Sequence, residues 1–117
     1  MNSFKDLQIW QRSIDFSILI YGHTLDFPKD EKFGLSSQIR RASTSVPLNI
    51  AEGWGRGSDK SFANFLKIAR ASLFEVDTIL EIGSRLKYIK NEDLNILQKE
   101  VEELGKMING FLKKLEK

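Results

Sequence analysis

Between Gln38 and Asp59 the chain reads QIRRASTSVPLNIAEGWGRGSD, and directional hydrogen-bonding side chains concentrate there. Gln38, Arg41, Ser45, Asn49, Glu52 and Arg56 recur at intervals of three and four residues, so on a helix they form one row. Guanidinium forks and amides present donors in fixed directions, the chemistry of specific polar contacts rather than of a merely hydrated face. Two readings stand. The row is a hydrogen-bonded network packed against another helix or subunit, or it is a polar face carrying local pairs such as Glu52 with Arg56.

Cations suggest a second kind of chemistry. Lys60, Lys67 and Arg70 share a side of a later helical segment with Phe74. Together with Arg40, Arg41 and Arg56 they would make a basic surface with Trp54 and Phe74 as aromatic neighbours. Such a surface suits RNA or DNA, the cations meeting phosphates and the rings stacking on unpaired bases. The competing reading is a solvated face on which a partner subunit covers Trp54 and Phe74.

Catalytic chemistry is poorly represented. The single histidine, His23, falls near the end of a helical segment, where a solvated last-turn side chain is the simplest expectation. The acids Glu92, Asp93, Glu100, Glu102 and Glu103 include no Glu-x-x-His pair of the kind that builds a metal site in a helical bundle. GWGRG, residues 53–57, lacks the preceding strand that a dinucleotide loop requires. Gly53 and Gly55 there read as helix termination. Arg56 and the free N–H groups opening the next helix would suit a phosphate, although Asp59 opposes one. No catalytic residue, cofactor or metal is expected, hence no enzyme.

These residues need helices to hold them. Leu7, Trp10, Ile14, Ile18, Tyr21 and Leu25 give a helical period, and Ile9, Phe16 and Ile20 form a second apolar row beside it. Leu35, Ile39, Ala42, Val46 and Ile50 keep one phase straight through Pro47. A helix-interior proline costs about 3 kcal/mol, and Val46 would be a poor cap for a fresh start, so the spacing predicts a kinked but continuous helix. Phe62, Leu66, Ala69, Leu73, Val76 and Leu80 make a third seam, capped by Ser58. Leu94, Leu97, Val101, Leu104, Ile108, Phe111 and Leu115 make a fourth. No segment alternates as a strand does. The expectation is all-α: one domain over residues 1–117, an up-and-down antiparallel four-helix bundle with helices at roughly 6–25, 30–54, 58–87 and 91–115.

The 117 residues suffice for one modest core, and 41% hydrophobic with 29% charged residues is ordinary for a globular chain. A net charge of +2 is too small to argue for nucleic acid by itself. Cysteine is absent, which excludes disulfides and thiolate chemistry. Polar residues come too early in MNSFKDLQIWQRS for a signal peptide, and no apolar run could span a bilayer, so a cytoplasmic protein without membrane contact is expected. Ile9, Phe16 and Ile20, with Ile68, Phe74 and Ile82, exceed what an isolated bundle must bury. Ile9, Phe16, Ile20, Trp54 and Phe74 are the candidate apolar interface, with self-association the simplest partner.

FGLSSQIRRASTSVPLNIAEGWGRGS and the following FANFLKIARASLFEV resemble the four-helix-bundle family named for members encoded within intervening sequences of bacterial 23S ribosomal RNA genes. Trp10-Gln11 and Phe27-Pro28 extend the resemblance, which covers roughly residues 4–85. Ser45 to Gly53, with Pro47, Asn49 and Glu52 inside it, is its most specific part. The resemblance implies a non-enzymatic homopentamer. The family is similar to the accessory protein of diversity-generating retroelements, which implies nucleic acid, a reverse transcriptase or another protein as partner.

Overall fold

In the computed structural model, which describes residues 3–116, four helices follow in chain order. They are α1 Gln8–His23, α2 Leu35–Gly55, α3 Asp59–Arg85 and α4 Asn91–Leu115. No strand occurs among the described residues. The all-α four-helix expectation therefore holds.

Local chemistry sets the boundaries. Ser58 Oγ accepts the Ser61 N–H at 3.2 Å and caps α3, with Asp59 at the positive end of the helix dipole. Lys113 and Lys114 in the last turn of α4 suit its negative end. Residues 30–34, expected to open the second helix, do not join α2. Lys29–Glu31 form a separate 3-10 turn, and the Glu31 carboxylate reaches forward to accept the Leu35 N–H at 3.2 Å. Gly57 takes a φ of +82° in the turn between α2 and α3, a conformation glycine adopts without strain.

Helix α2 passes through Pro47 without interruption. Proline removes the N–H that would bond the carbonyl four residues back, that of Ser43. A donor arrives from outside the helix: Ser17 Oγ on α1 lies 2.9 Å from Ser43 O, with both residues buried. The proline is thereby tied to the α1–α2 contact. At the far end of α2, Gly53 does not stop the helix, as the sequence suggests, but lets α3 approach. A Cβ placed there would lie 2.6 Å from Phe65 Cβ.

Cross-helix partners show each neighbouring pair running antiparallel. Ser17 meets Ser43 and Thr24 meets Arg40 between α1 and α2; Ser45 meets Ser72 and Gly53 meets Phe65 between α2 and α3. Arg70 meets Asn109 and Asp77 meets Gln98 between α3 and α4, and Arg12 meets Glu100 and His23 meets Asp93 between α1 and α4. The bundle is 43 Å long. Arg12 closes the ring of four, its guanidinium bonded to Glu103 and to Glu100, and these two carboxylates hold its pKa above the ordinary arginine value.

The core is built as expected from α2, α3 and α4, whose seams are buried from Ile39 to Ile50, Phe62 to Leu80 and Leu94 to Leu112. On α1 the expectation fails. Ile9, Phe16 and Ile20 are the core-facing row; of the longer row Leu7 is buried and Trp10 packs against the core, but Ile18 and Tyr21 are exposed, as is Leu25 beyond the helix end. The reason lies in Ser13, Ser17 and Thr24, which share the buried face. Ser13 Oγ donates to Trp10 O at 2.7 Å and Thr24 Oγ1 to Ile20 O at 2.8 Å, whereas the single hydroxyl proton of Ser17 is shared between Ser13 O at 3.1 Å and Ser43 O at 2.9 Å. Their polarity is satisfied locally, and their small size leaves room for α2. Ile9, Phe16 and Ile20 are thus withdrawn as interface residues.

Candidate protein and nucleic-acid interfaces

The polar row of α2 divides along its length. At its centre Ser45 Oγ lies 2.9 Å from Ser72 Oγ of α3, and Asn49 Nδ2 donates to Ser45 O at 2.7 Å and to Ser45 Oγ at 2.9 Å. This is a small network against a neighbouring helix, but that helix belongs to the same chain. Further on, Glu52 accepts from Arg56 at 2.8 Å across one turn, and both remain exposed. Gln38 and Arg41 are also exposed. They line a shallow cleft of about 610 Å³ between α2 and α3 with Ser37, Phe33 and Glu75. Arg41 and Glu75 share this cleft, yet neither has an ion pair among the described residues.

The six candidate cations do not converge. Arg40 turns to α1: its Nε donates to Thr24 Oγ1 at 3.0 Å and its guanidinium sits 4.8 Å from the Tyr21 ring centroid. Arg56 sits 5.1 Å from the Phe65 ring centroid while holding Glu52. Only the α3 members remain together. Lys67 and Arg70 border one cleft with Lys113 and Asn109 of α4, and Lys60 lies at the neighbouring one, with Asn64 and Glu116. Lys67 is paired with Glu116 at 2.8 Å. Arg70 donates at 2.8 Å to Asn109 Oδ1, a neutral acceptor, and forms no ion pair among the described residues. The basic surface read from the sequence is therefore a strip along the α3–α4 seam, with Lys113 as an addition, and the α2 arginines lie apart from it.

His23 is half-buried, its Nδ1 3.9 Å from Asp93 Oδ2, and so faces a carboxylate rather than standing free in solvent. No cluster of three metal-ligating side chains occurs among the described residues. No helix among them is long and apolar enough to cross a membrane.

The most distinctive surface follows from the rotation of α1, which spacing along the sequence does not fix. The displaced row of α1 faces outward beside α2. Phe4, Trp10, Ile14, Ile18 and Tyr21 form one wall of a groove of about 740 Å³, and Thr44, Pro47, Leu48 and Ala51 form the other. Among the described residues no charged side chain lines it. Ile18 and Leu48 are each 66% exposed at its rim. Of the other apolar interface candidates, Phe74 is exposed beside the α3–α4 seam, whereas Trp54 is half-buried edge-on against Phe62.

Residues 5–110 match the family described as 23S rRNA-intervening sequence protein. The chain belongs to that family. Within the same structural neighbourhood is the crystal structure of a protein of unknown function from the S23 ribosomal protein family of Bacteroides thetaiotaomicron VPI-5482. It is 27% identical to this chain, with a TM-score of 0.82 over 90% of this chain and 95% of that one. No curated protein matches. Membership of the 23S rRNA-intervening sequence protein family thus accompanies a helical bundle without bringing an established activity.

Proposed function

We propose that this protein is a non-enzymatic homo-oligomeric bundle, a protein-interaction module whose assembly covers the α1–α2 groove. The observation that carries this reading is the groove itself: about 740 Å³, uncharged, and rimmed by Ile18 and Leu48. Contiguous apolar surface of this kind on a small domain marks an interaction site. A closed homopentamer is the assembly expected from the family resemblance, and a reverse transcriptase or another protein would be a further partner of it. Light scattering on the purified protein tests the reading, which requires a native mass several times the 13.4 kDa of one chain. Leu48→Lys, placing a charge in the groove, should weaken self-association at least tenfold while leaving far-UV circular dichroism unchanged. A wild-type protein that stays monomeric up to millimolar concentration would remove the proposal.

Arg70, bonded to a neutral amide in a strip with Lys60, Lys67 and Lys113, supports a second reading: RNA or DNA binding along the α3–α4 seam. Phosphate contacts release counterions, so affinity should fall steeply between ~50 and ~200 mM salt. Arg70→Glu should abolish that binding, whereas Arg40→Gln, which alters a side chain engaged with α1, should leave affinity unchanged. Binding that is insensitive to salt, or equal for wild type and Arg70→Glu, rules this reading out.

A further inference from the structure

We infer that the cleft between α2 and α3 binds a small zwitterion of the amino-acid class, its carboxylate held by Arg41 and its ammonium by Glu75.

A contact between small side chains sets the cleft. Ser45 Oγ of α2 and Ser72 Oγ of α3 lie 2.9 Å apart, and both residues line it. The two helices run antiparallel, so four residues back along α2 and three forward along α3 lead the same way. Arg41 and Glu75 therefore stand on opposite walls, about 6 and 4.5 Å along their helices from the serine pair. The space that opens there measures about 610 Å³, within the range of small-ligand sites.

Elsewhere on the surface, opposite charges in reach of one another are paired. Glu52 holds Arg56, Glu81 holds Arg85, Glu102 holds Lys106 and Glu116 holds Lys67. Arg41 and Glu75 are both exposed, and neither is ion-paired among the described residues.

This pair of charges selects the occupant. A lone anion drawn to Arg41 meets the Glu75 carboxylate, and a lone cation drawn to Glu75 meets the guanidinium. A neutral molecule would cover both charges without recompense. A molecule carrying both signs satisfies both walls at once. The guanidinium fork takes a carboxylate through two parallel N–H donors, and the Glu75 carboxylate accepts from an ammonium. Ser37 and Gln38 add a hydroxyl and an amide that can donate or accept. Phe33, 90% exposed at the same cleft, offers an apolar plate for the methylenes between the two charges.

The cleft shares no lining residue with the α1–α2 groove, so this inference stands apart from the oligomeric reading.

The test is a titration at low salt, followed by the backbone amide NMR signals of Ser45 and Ser72. The probes are glycine, 4-aminobutyrate and 6-aminohexanoate, each set against the carboxylate and the amine of the same chain length. At least one zwitterion should shift both signals and bind about tenfold or more tighter than either singly charged analogue. Glu75→Gln should turn that preference toward the carboxylate, and Arg41→Gln should turn it toward the amine. Both side chains are exposed, and circular dichroism checks that each variant keeps its helices. A role for either residue in the fold alone would not reverse a charge preference. The inference is overturned if no zwitterion shifts either signal up to ~10 mM. Equal affinity for a singly charged analogue overturns it too, as does a glutamine variant whose preference is unchanged or whose binding of every probe falls alike.

Discussion

Phe16→Ala should destabilise the protein by about 3–5 kcal/mol, the usual consequence of emptying a buried aromatic site, whereas Leu25→Ala should change stability by less than about 0.5 kcal/mol. Phe16 is 1% exposed and Leu25 75% exposed. Helical spacing alone favours the opposite outcome, because Leu25 continues the longer of the two apolar rows on α1 and Phe16 belongs to the shorter. Cavity formation around Phe16 would deprive α1 of its largest fully buried side chain, on a helix anchored otherwise by Ile9 and Ile20. Urea unfolding at one fixed protein concentration measures both changes. Equal midpoints for the two variants would mean that α1 is rotated relative to the arrangement described above.

A second large effect is expected at Ser17, and here the informative quantity is a coupling. Ser17→Ala removes the hydroxyl that lies 2.9 Å from Ser43 O, and the buried carbonyl loses its donor. Stranding a buried polar group costs about 1–3 kcal/mol. Pro47→Ala restores the backbone N–H that Ser43 O lacks. In that background the same Ser17→Ala change should cost less by about 1 kcal/mol or more, since the helix now satisfies its own carbonyl. A double-mutant cycle by urea unfolding gives the coupling directly. If Ser17→Ala costs the same beside alanine as beside proline, the hydroxyl is not compensating for the proline.

The pairing clarifies why a proline is compatible with the middle of α2. Its penalty is offset partly by packing, since Val46, Pro47 and Ile50 are all buried, and partly by a hydrogen bond delivered from α1. It also relates fold to surface. Pro47 both calls for Ser17 and contributes to the wall of the apolar groove. The residue that ties α1 to α2 therefore helps shape the surface proposed to receive another copy.

The seams of α3 and α4 were readable because each has one dominant apolar row with charges opposite it, so only one rotation buries the right atoms. Ser58 was readable as a cap because the hydroxyl acts on its own next turn. Continuity through Pro47 was readable from unbroken phase. The rotation of α1 was not, because apolar side chains cover more than half its circumference and its serines look polar until their hydrogen bonds are seen. Gly53 shows the same limit. Only the closeness of Phe65 distinguishes a packing glycine from a terminating one. Among the candidate site residues, Glu52–Arg56 was readable as a local pair, whereas the separation of Arg40 from Arg41, adjacent in sequence, depended on where α1 and α3 lie.

By itself the sequence determined the number of helices, their capping chemistry, the core rows of three of them and the family to which the chain belongs. Those properties arise from interactions within a few residues, or from a periodicity that admits one solution. The tertiary structure alone decided which row of α1 is core, which cations are committed to partners, and where uncharged surface remains open. Each of those depends on contacts between residues far apart in the chain, and local spacing carries no information about which neighbour a side chain will meet.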